Sequence, residues 1–254
     1  MDIKIAFLID GSFFLNRLQF FKRKYYSSKP DLTSEQIILV IQQIIKKHLF
    51  NCPKNIYQHT YRIFYYDSPP LTIKVHLPLL NQGETHKRVL DFAKDKKNIQ
   101  RSEILERLKK QPKFALRLGS IKHEKQWKLK DTTLNKLLRE EISFEQLSND
   151  DFYYEMRQKG VDIKLGIDIS TLAQQKLVNK IILIAGDSDF VPAAKLARIH
   201  GIDFVLDALH NNIDESLHEH IDGLVSYDLV AILKDIFAVE PDIKPNWWTA
   251  NTNP

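Results

Sequence analysis

The stretch Lys180-Ile181-Ile182-Leu183-Ile184-Ala185-Gly186-Asp187-Ser188-Asp189 decides how this chain folds. Apolar residues run from Ile181 to Ala185 without polar alternation, which marks a strand buried on both faces, as in a parallel sheet. Gly186 then opens a turn carrying two carboxylates. Pro192 near the first turn and Gly201 just past the end bracket a helix, VPAAKLARIH. Ile202 to Leu206 reads as the next strand. Strand, helix and strand in that order form the repeating unit of a parallel α/β sheet.

Outward from this unit the pattern recurs. Ile3 to Ile9 is a second apolar run, ending at Asp10-Gly11-Ser12. Thr33 and Gln36 form a capping box, and Ile37, Ile38, Ile41, Ile44, Ile45 and Leu49 follow at helical spacing to about Phe50. Tyr57 to Tyr66 reads as a strand ended by Asp67-Ser68-Pro69-Pro70. Residues 84 to 110 read as helical, and Phe114 to Leu118 as a strand. Residues 120 to 140 are basic and show no clear period. Phe152 to Lys159 reads as a short helix with Gly160 as its C-cap. A helix is expected over about 164 to 177, and more helix at the end of 213 to 237. The tail from Val239, with three prolines and Trp247-Trp248, reads as loosely ordered. The expected fold class is α/β: one domain over residues 1–238, built on a central, mainly parallel sheet with helices on both faces, followed by a tail over 239–254.

Charge is unevenly placed. The chain has 254 residues and a net charge of +5, yet residues 81–140 hold 17 Lys and Arg against 8 Asp and Glu. The rest holds 20 against 24. Such a basic segment attracts phosphate backbones through counterion release, although a pair of solvated helix faces has the same composition. The single cysteine, Cys52, excludes an intrachain disulfide and zinc sites built from cysteine pairs. It also fits a reducing compartment. Met1 to Lys4 lack a signal-peptide pattern, and no run of 18 apolar residues occurs. The expectation is a cytoplasmic protein with no membrane partner.

Two apolar strands thus end in acids: Asp10 after one, Asp187 and Asp189 after the other. In open α/β sheets ligands bind outside the carboxyl ends of strands. A single Asp there is more often a turn residue or helix cap. Several together favour a site, because clustered carboxylates repel unless a cation neutralises them. Oxygen donors of this kind suit Mg²⁺ or Mn²⁺. Asp162 and Asp168 are the next candidates, flanking Asp162-Ile163-Lys164-Leu165-Gly166-Ile167-Asp168. Either also serves as a cap or surface residue if the helix starts near Lys164.

The order of these segments resembles the NYN domains, the LabA-like branch of the PIN-like nucleases. The resemblance rests on the apolar strand with Asp10-Gly11, on Lys159-Gly160-Val161-Asp162 with Asp168, and on Ala185-Gly186-Asp187-Ser188-Asp189-Phe190 before Val191-Pro192. It covers roughly residues 3 to 230. It implies a PIN-like Rossmannoid three-layer sandwich and divalent-metal-dependent cleavage of RNA. It places metal-binding acids at Asp10, Asp187 and Asp189, with Asp162 and Asp168 as further catalytic members of the acidic pocket. One departure is Phe13, which stands where the family often has Asn.

The expected mechanism is a metal-activated water attacking phosphorus in line, with no Ser or His nucleophile. Lys87, Arg88, Lys94, Lys96, Lys97 and Arg101 are expected to track the RNA backbone. Arg62 and Lys164 face phosphates, and Ser12 and Ser188 add polar contacts within the two acidic motifs. The RNA partner is single-stranded or structured; a homo-oligomer or a protein partner stays open. Tyr61, Tyr65 and Tyr66 are read as core of an alternating strand rather than as base-stacking residues. A haloacid-dehalogenase phosphatase needs a nucleophilic Asp two residues before Asp10, where Leu8 stands. A dinucleotide-binding dehydrogenase needs a glycine-rich turn after the first strand, which Gly11-Ser12-Phe13-Phe14 does not provide. The rival of the nuclease reading is a binding module of the same fold, for RNA or protein, that has lost turnover; Phe13 motivates it.

Overall fold

The computed structural model describes residues 3–49, 56–81 and 83–251. The chain divides into two compact units. One comprises Met1–Asp67, Glu103–Gly119 and Gly160–Pro254; the other comprises Ser68–Ser102 and Ser120–Lys159. The basic segment 81–140 contributes to both.

In chain order the strands are β1 (Ile5–Asp10), β2 (Thr60–Asp67), β3 (Lys74–His76), β4 (Val89–Asp91), β5 (Phe114–Leu118), β6 (Ser120–Leu129), β7 (Phe152–Lys159), β8 (Lys180–Ile184), β9 (Asp203–Asp207) and β10 (Gly223–Leu224). The helices are α1 (Gly11–Tyr25), α2 (Ser34–His48), α3 (Ile56–His59), α4 (Lys96–Lys109), α5 (Asp131–Leu138), α6 (Val161–Gln174), α7 (Val191–Ile199), α8 (Glu215–His218) and α9 (Leu229–Phe237).

The first unit is built on a six-stranded sheet of order β10-β9-β8-β1-β2-β5, with every described pairing parallel. This is the expected α/β fold, a PIN-like Rossmannoid sandwich. Side chains along a strand alternate between faces, and here both faces are core. Ile5, Phe7 and Ile9 enter one hydrophobic cluster with α1, α2 and α9, whereas Ala6 and Leu8 enter another with α6 and α7. β8 divides the same way, with Ile182 and Ile184 on one side and Ile181 and Leu183 on the other. Burial on both faces is why these strands read as unbroken apolar runs. Tyr65 and Tyr66 are likewise fully buried, one in each cluster, as an alternating core strand requires.

The capping box at Thr33 is present, with Gln36 closing it. The helix α1 has no counterpart in the sequence reading. Its buried positions, Phe14, Leu18, Phe21 and Tyr25, follow helical spacing, but aromatic and basic residues fill the rest and blur the apolar stripe.

The second unit contains two small antiparallel ribbons, β3 with β4 and β6 with β7. Two expectations are corrected here. Phe152–Lys159 is a strand rather than a short helix, because it pairs with β6 across the chain. Residues 84–110 are not continuously helical: β4 and a short 3₁₀ turn precede α4. β6 was unreadable because its register shifts between His123 and Trp127, with Lys125 at φ 55, which breaks the two-residue period. Trp127, His123 and Phe92 pack around Tyr154 at ring-centroid distances of 5.3, 5.9 and 5.6 Å.

Gly160 is also corrected. It precedes α6 as its N-cap, at φ 79, a conformation that glycine adopts without penalty. The tail is more ordered than its composition suggests. Residues Asn246–Asn251 form a 3₁₀ turn, and the indole nitrogens of Trp247 and Trp248 both donate to Asp228 Oδ2. Among the described residues no helix is long and apolar enough to cross a membrane.

Candidate active site

The neighbouring strands β8, β1 and β2 each lead into an acid at the same edge of the sheet. Asp10 is the last residue of β1 and the N-cap of α1, and its Oδ1 accepts the Phe13 amide at 3.0 Å. The tight strand-to-helix turn requires Gly11, because a β-carbon there would lie 2.7 Å from the Tyr65 ring. In register, Asp10 faces Tyr66 on β2, and Asp67 is the next residue. Asp187 follows β8 and accepts the Asp189 amide at 3.0 Å. Asp162 is the second residue of α6, directly after the Gly160 turn. Parallel strands lie about 4.8 Å apart, so consecutive strand ends bring these groups into one neighbourhood.

The electrostatics show that they sense one another. Burial pushes the Asp10 carboxyl above the usual carboxylate range, and the charges of Asp162 and Asp67 push it further, against the Phe13 and Ser12 amides. Asp162 is raised by burial and by Asp187 and Asp189. Five carboxylates therefore share one negative patch. Among the described residues, no Lys, Arg or His forms an ion pair with Asp10, Asp162, Asp187 or Asp189. The N-termini of α1 and α6 open onto the same edge and supply partial positive charge.

The donor set consists of hard carboxylate oxygens, the chemistry that Mg²⁺ and Mn²⁺ prefer. Among the described residues no three His, Cys, Asp or Glu side chains stand close enough together to enclose a metal ion as they are. Asp162, Asp187 and Asp189 are exposed, and their side chains have room to turn.

Asp168 lies apart from this group. Its Oδ2 takes a 2.7 Å bond from Arg117 Nε and a 2.8 Å bond from the Tyr66 hydroxyl. Arg117 also sits 4.8 Å from the Phe64 ring centroid. Burial and the neighbouring Asp168 hold the Tyr66 phenol well above its usual range. Asp168 therefore orders α6 against the sheet and does not add an unpaired carboxylate to the pocket.

Of the cationic candidates, Lys164 lies at this edge, its ammonium donating to the Leu118 carbonyl at the end of β5. Ser12 and Ser188 occupy the first turns after Asp10 and Asp187. Arg62 lies five residues before Asp67, about 16 Å of strand from the acidic edge. Lys87, Arg88, Lys94, Lys96, Lys97 and Arg101 all belong to the second unit. There Arg88 is paired with Glu84, and Lys87 donates to the Pro78 carbonyl. Lys94, Lys96 and Lys97 are exposed.

Asp67 and Arg117 were not singled out from the sequence. Asp67 had the same signal as Asp10, an acid closing an apolar strand, but the prolines after it made it look like a turn residue. Arg117 carried no local signal, because its partners Asp168 and Tyr66 are distant in sequence.

The model of the NYN domain matches residues 85–226. No curated protein matches the chain. Among solved structures, a protein of unknown function from Vibrio parahaemolyticus is similar at 14% identity, over 89% of this chain and 94% of that one, with a TM-score of 0.40. With the family model covering more than half of its length, the chain belongs to the NYN domain family, whose members are PIN-like nucleases.

Proposed function

We propose that this protein is a divalent-metal-dependent ribonuclease whose reaction takes place at the edge formed by Asp10, Asp67, Asp162, Asp187 and Asp189. The observation that carries this reading is a concentration of carboxylates in which Asp162 and Asp67 help to raise Asp10, and Asp187 and Asp189 help to raise Asp162, while among the described residues no cationic side chain pairs with Asp10, Asp162, Asp187 or Asp189. An arrangement of this kind costs stability unless it is used.

Bound at this edge, Mg²⁺ or Mn²⁺ supplies an activated water and offsets charge on the phosphate. Asp10 and Asp187 would hold it, with Asp189 completing the donor set. Asp10 is fixed by the Phe13 amide, so one oxygen keeps a constant direction. Asp162, on the first turn of α6, would take a proton from the attacking water, a task its raised pKa suits. Lys164, at this edge, provides charge for the RNA backbone.

A second reading follows from Phe13, which lies against Gly186 where the family often has Asn. In it the domain binds RNA or a protein without turnover. Purified protein incubated with single-stranded RNA and Mn²⁺ separates the two. Cleavage that disappears in Asp10→Asn supports the nuclease; equal cleavage by the variant sinks the assignment. Absence of cleavage together with no Mn²⁺ heat in calorimetry favours the binding module.

A further inference from the structure

A second feature of the first unit is separate from the carboxylates. On α1, Phe13, Arg17, Phe20 and Lys24 are spaced four, three and four residues apart, so they form one row on the helix surface. Aromatic and cationic side chains alternate along it for about 16 Å. The Arg17 guanidinium lies 4.9 Å from the Phe20 ring centroid, and Lys24 Nζ lies 5.8 Å from the same ring.

The row is widened by further rings. Phe20 meets Phe21 edge-on at 5.6 Å, Phe21 meets His210 at 6.0 Å, and His210 stacks with Trp247 at 6.4 Å and 22°. Trp247 in turn meets Tyr25. Core packing accounts for Phe21 and Tyr25, which are buried. It does not account for Phe20 and Trp247, which remain 48% and 45% exposed. Arg17 is held rigidly: its Nε and one terminal nitrogen donate to the Leu209 carbonyl, and that terminal nitrogen also reaches the His210 carbonyl. Exposed rings beside cations are what a single-stranded nucleic acid requires, since every base has a face to stack and every phosphate a charge to neutralise. The upper end of the row is Phe13, whose ring touches Gly186 beside Asp187.

We propose that this row on α1, with Trp247, binds single-stranded RNA, stacking bases on Phe20 and Trp247 and holding phosphates with Arg17 and Lys24. The strand is thereby led to the carboxylates, a last step that rests on the ribonuclease reading. Binding itself does not, so it is measured without catalysis. A fluorescently labelled oligouridylate of about a dozen nucleotides is titrated with the full chain in EDTA, and anisotropy is recorded at several salt concentrations.

Phe20→Leu and Trp247→Leu keep apolar bulk but remove the stacking face. Each is expected to weaken binding by roughly fivefold or more, while Phe20→Tyr binds as the unaltered protein does. Lys24→Gln is expected to lower the salt slope by about one. Arg17 is left alone because it holds two carbonyls. Thermal melting of each variant checks the fold. Well-folded Phe20→Leu and Trp247→Leu proteins that bind with undiminished affinity overturn the proposal, as does an unaltered protein that does not bind. Loss of binding in these variants, with no cleavage under Mn²⁺ in the unaltered protein, upholds the track and discards only the nuclease reading.

Discussion

The Phe13 ring lies so close against Gly186 that a β-carbon on residue 186 would stand 2.3 Å from Phe13 Cε2. The acidic turn after β8 and the first turn of α1 are therefore fitted to each other through a ring and a bare backbone. The two motifs that carry Asp10 and Asp187 are held at a fixed separation by an apolar contact.

Gly186→Ala is expected to destabilise the protein by about 1–3 kcal/mol through overpacking. Phe13→Ala should cost less by itself, and the double variant should recover part of the glycine's loss, giving a coupling energy of about 0.5–3 kcal/mol. Urea unfolding of the four proteins measures it. Strict additivity would show that the contact is not tight in solution.

Asp10→Asn should reduce RNA cleavage by about 100-fold or more while keeping the fold, since Asn caps a helix as well as Asp does. Because Asp10 is raised by burial and by Asp162 and Asp67, removing its charge should increase the melting temperature of metal-free protein. A lower melting temperature in EDTA would contradict the repulsion argued for this edge.

The pH dependence has a definite sign. Asp10 and Asp162 hold protons more tightly folded than unfolded. From the unfolded value near pH 4 up to their raised folded values, the folded state carries the extra protons, so their contribution to stability falls as pH rises. It is regained on acidification. The melting-temperature advantage of an Asp10→Asn, Asp162→Asn double variant over the unaltered protein in EDTA should therefore shrink as pH is lowered from 7 toward 4. Differencing the two proteins removes the opposite trend from carboxylates with lowered pKa, such as Asp151 and Asp242.

Arg117→Leu leaves the partly buried Asp168 with the Tyr66 hydroxyl and no cation. A loss of roughly 1 kcal/mol is expected, kept small because the arginine is more than a third exposed. Asp168→Asn should preserve cleavage far better than Asp162→Asn. If both asparagine variants lose cleavage equally, Asp168 acts in the pocket after all, contrary to its bonding here.

His48 Nε2 lies 2.9 Å from Asp207 Oδ2, with both side chains buried. Asp207 also accepts the Leu209 amide and the Ser226 hydroxyl. His48→Leu should cost about 3–5 kcal/mol by leaving a buried carboxylate without its partner. Chemical denaturation tests this, and a change under 1 kcal/mol would show that the two amide and hydroxyl donors suffice.

What the sequence disclosed follows from where the relevant physics is local. β1 and β8 were legible because burial on both faces removes polar alternation, and the Thr33 capping box because it lies within four residues. Asp10, Asp162, Asp187 and Asp189 were legible as strand-end or helix-start acids. The pairing of β7 with β6, the engagement of Asp168 by Arg117 and the membership of Asp67 were not, since each depends on residues brought together only by the fold. α1 escaped because its aromatic and basic residues serve its exposed row as well as the core.

Because β1 supplies alternate residues to two separate cores, no position from Ile5 to Ile9 takes a polar side chain without cost. Losing or gaining one residue there would exchange the occupants of both sides at once, placing Phe7 and Ile9 where Ala6 and Leu8 now fit. Surface loops tolerate insertion in general, but this six-residue segment must be inherited at constant length.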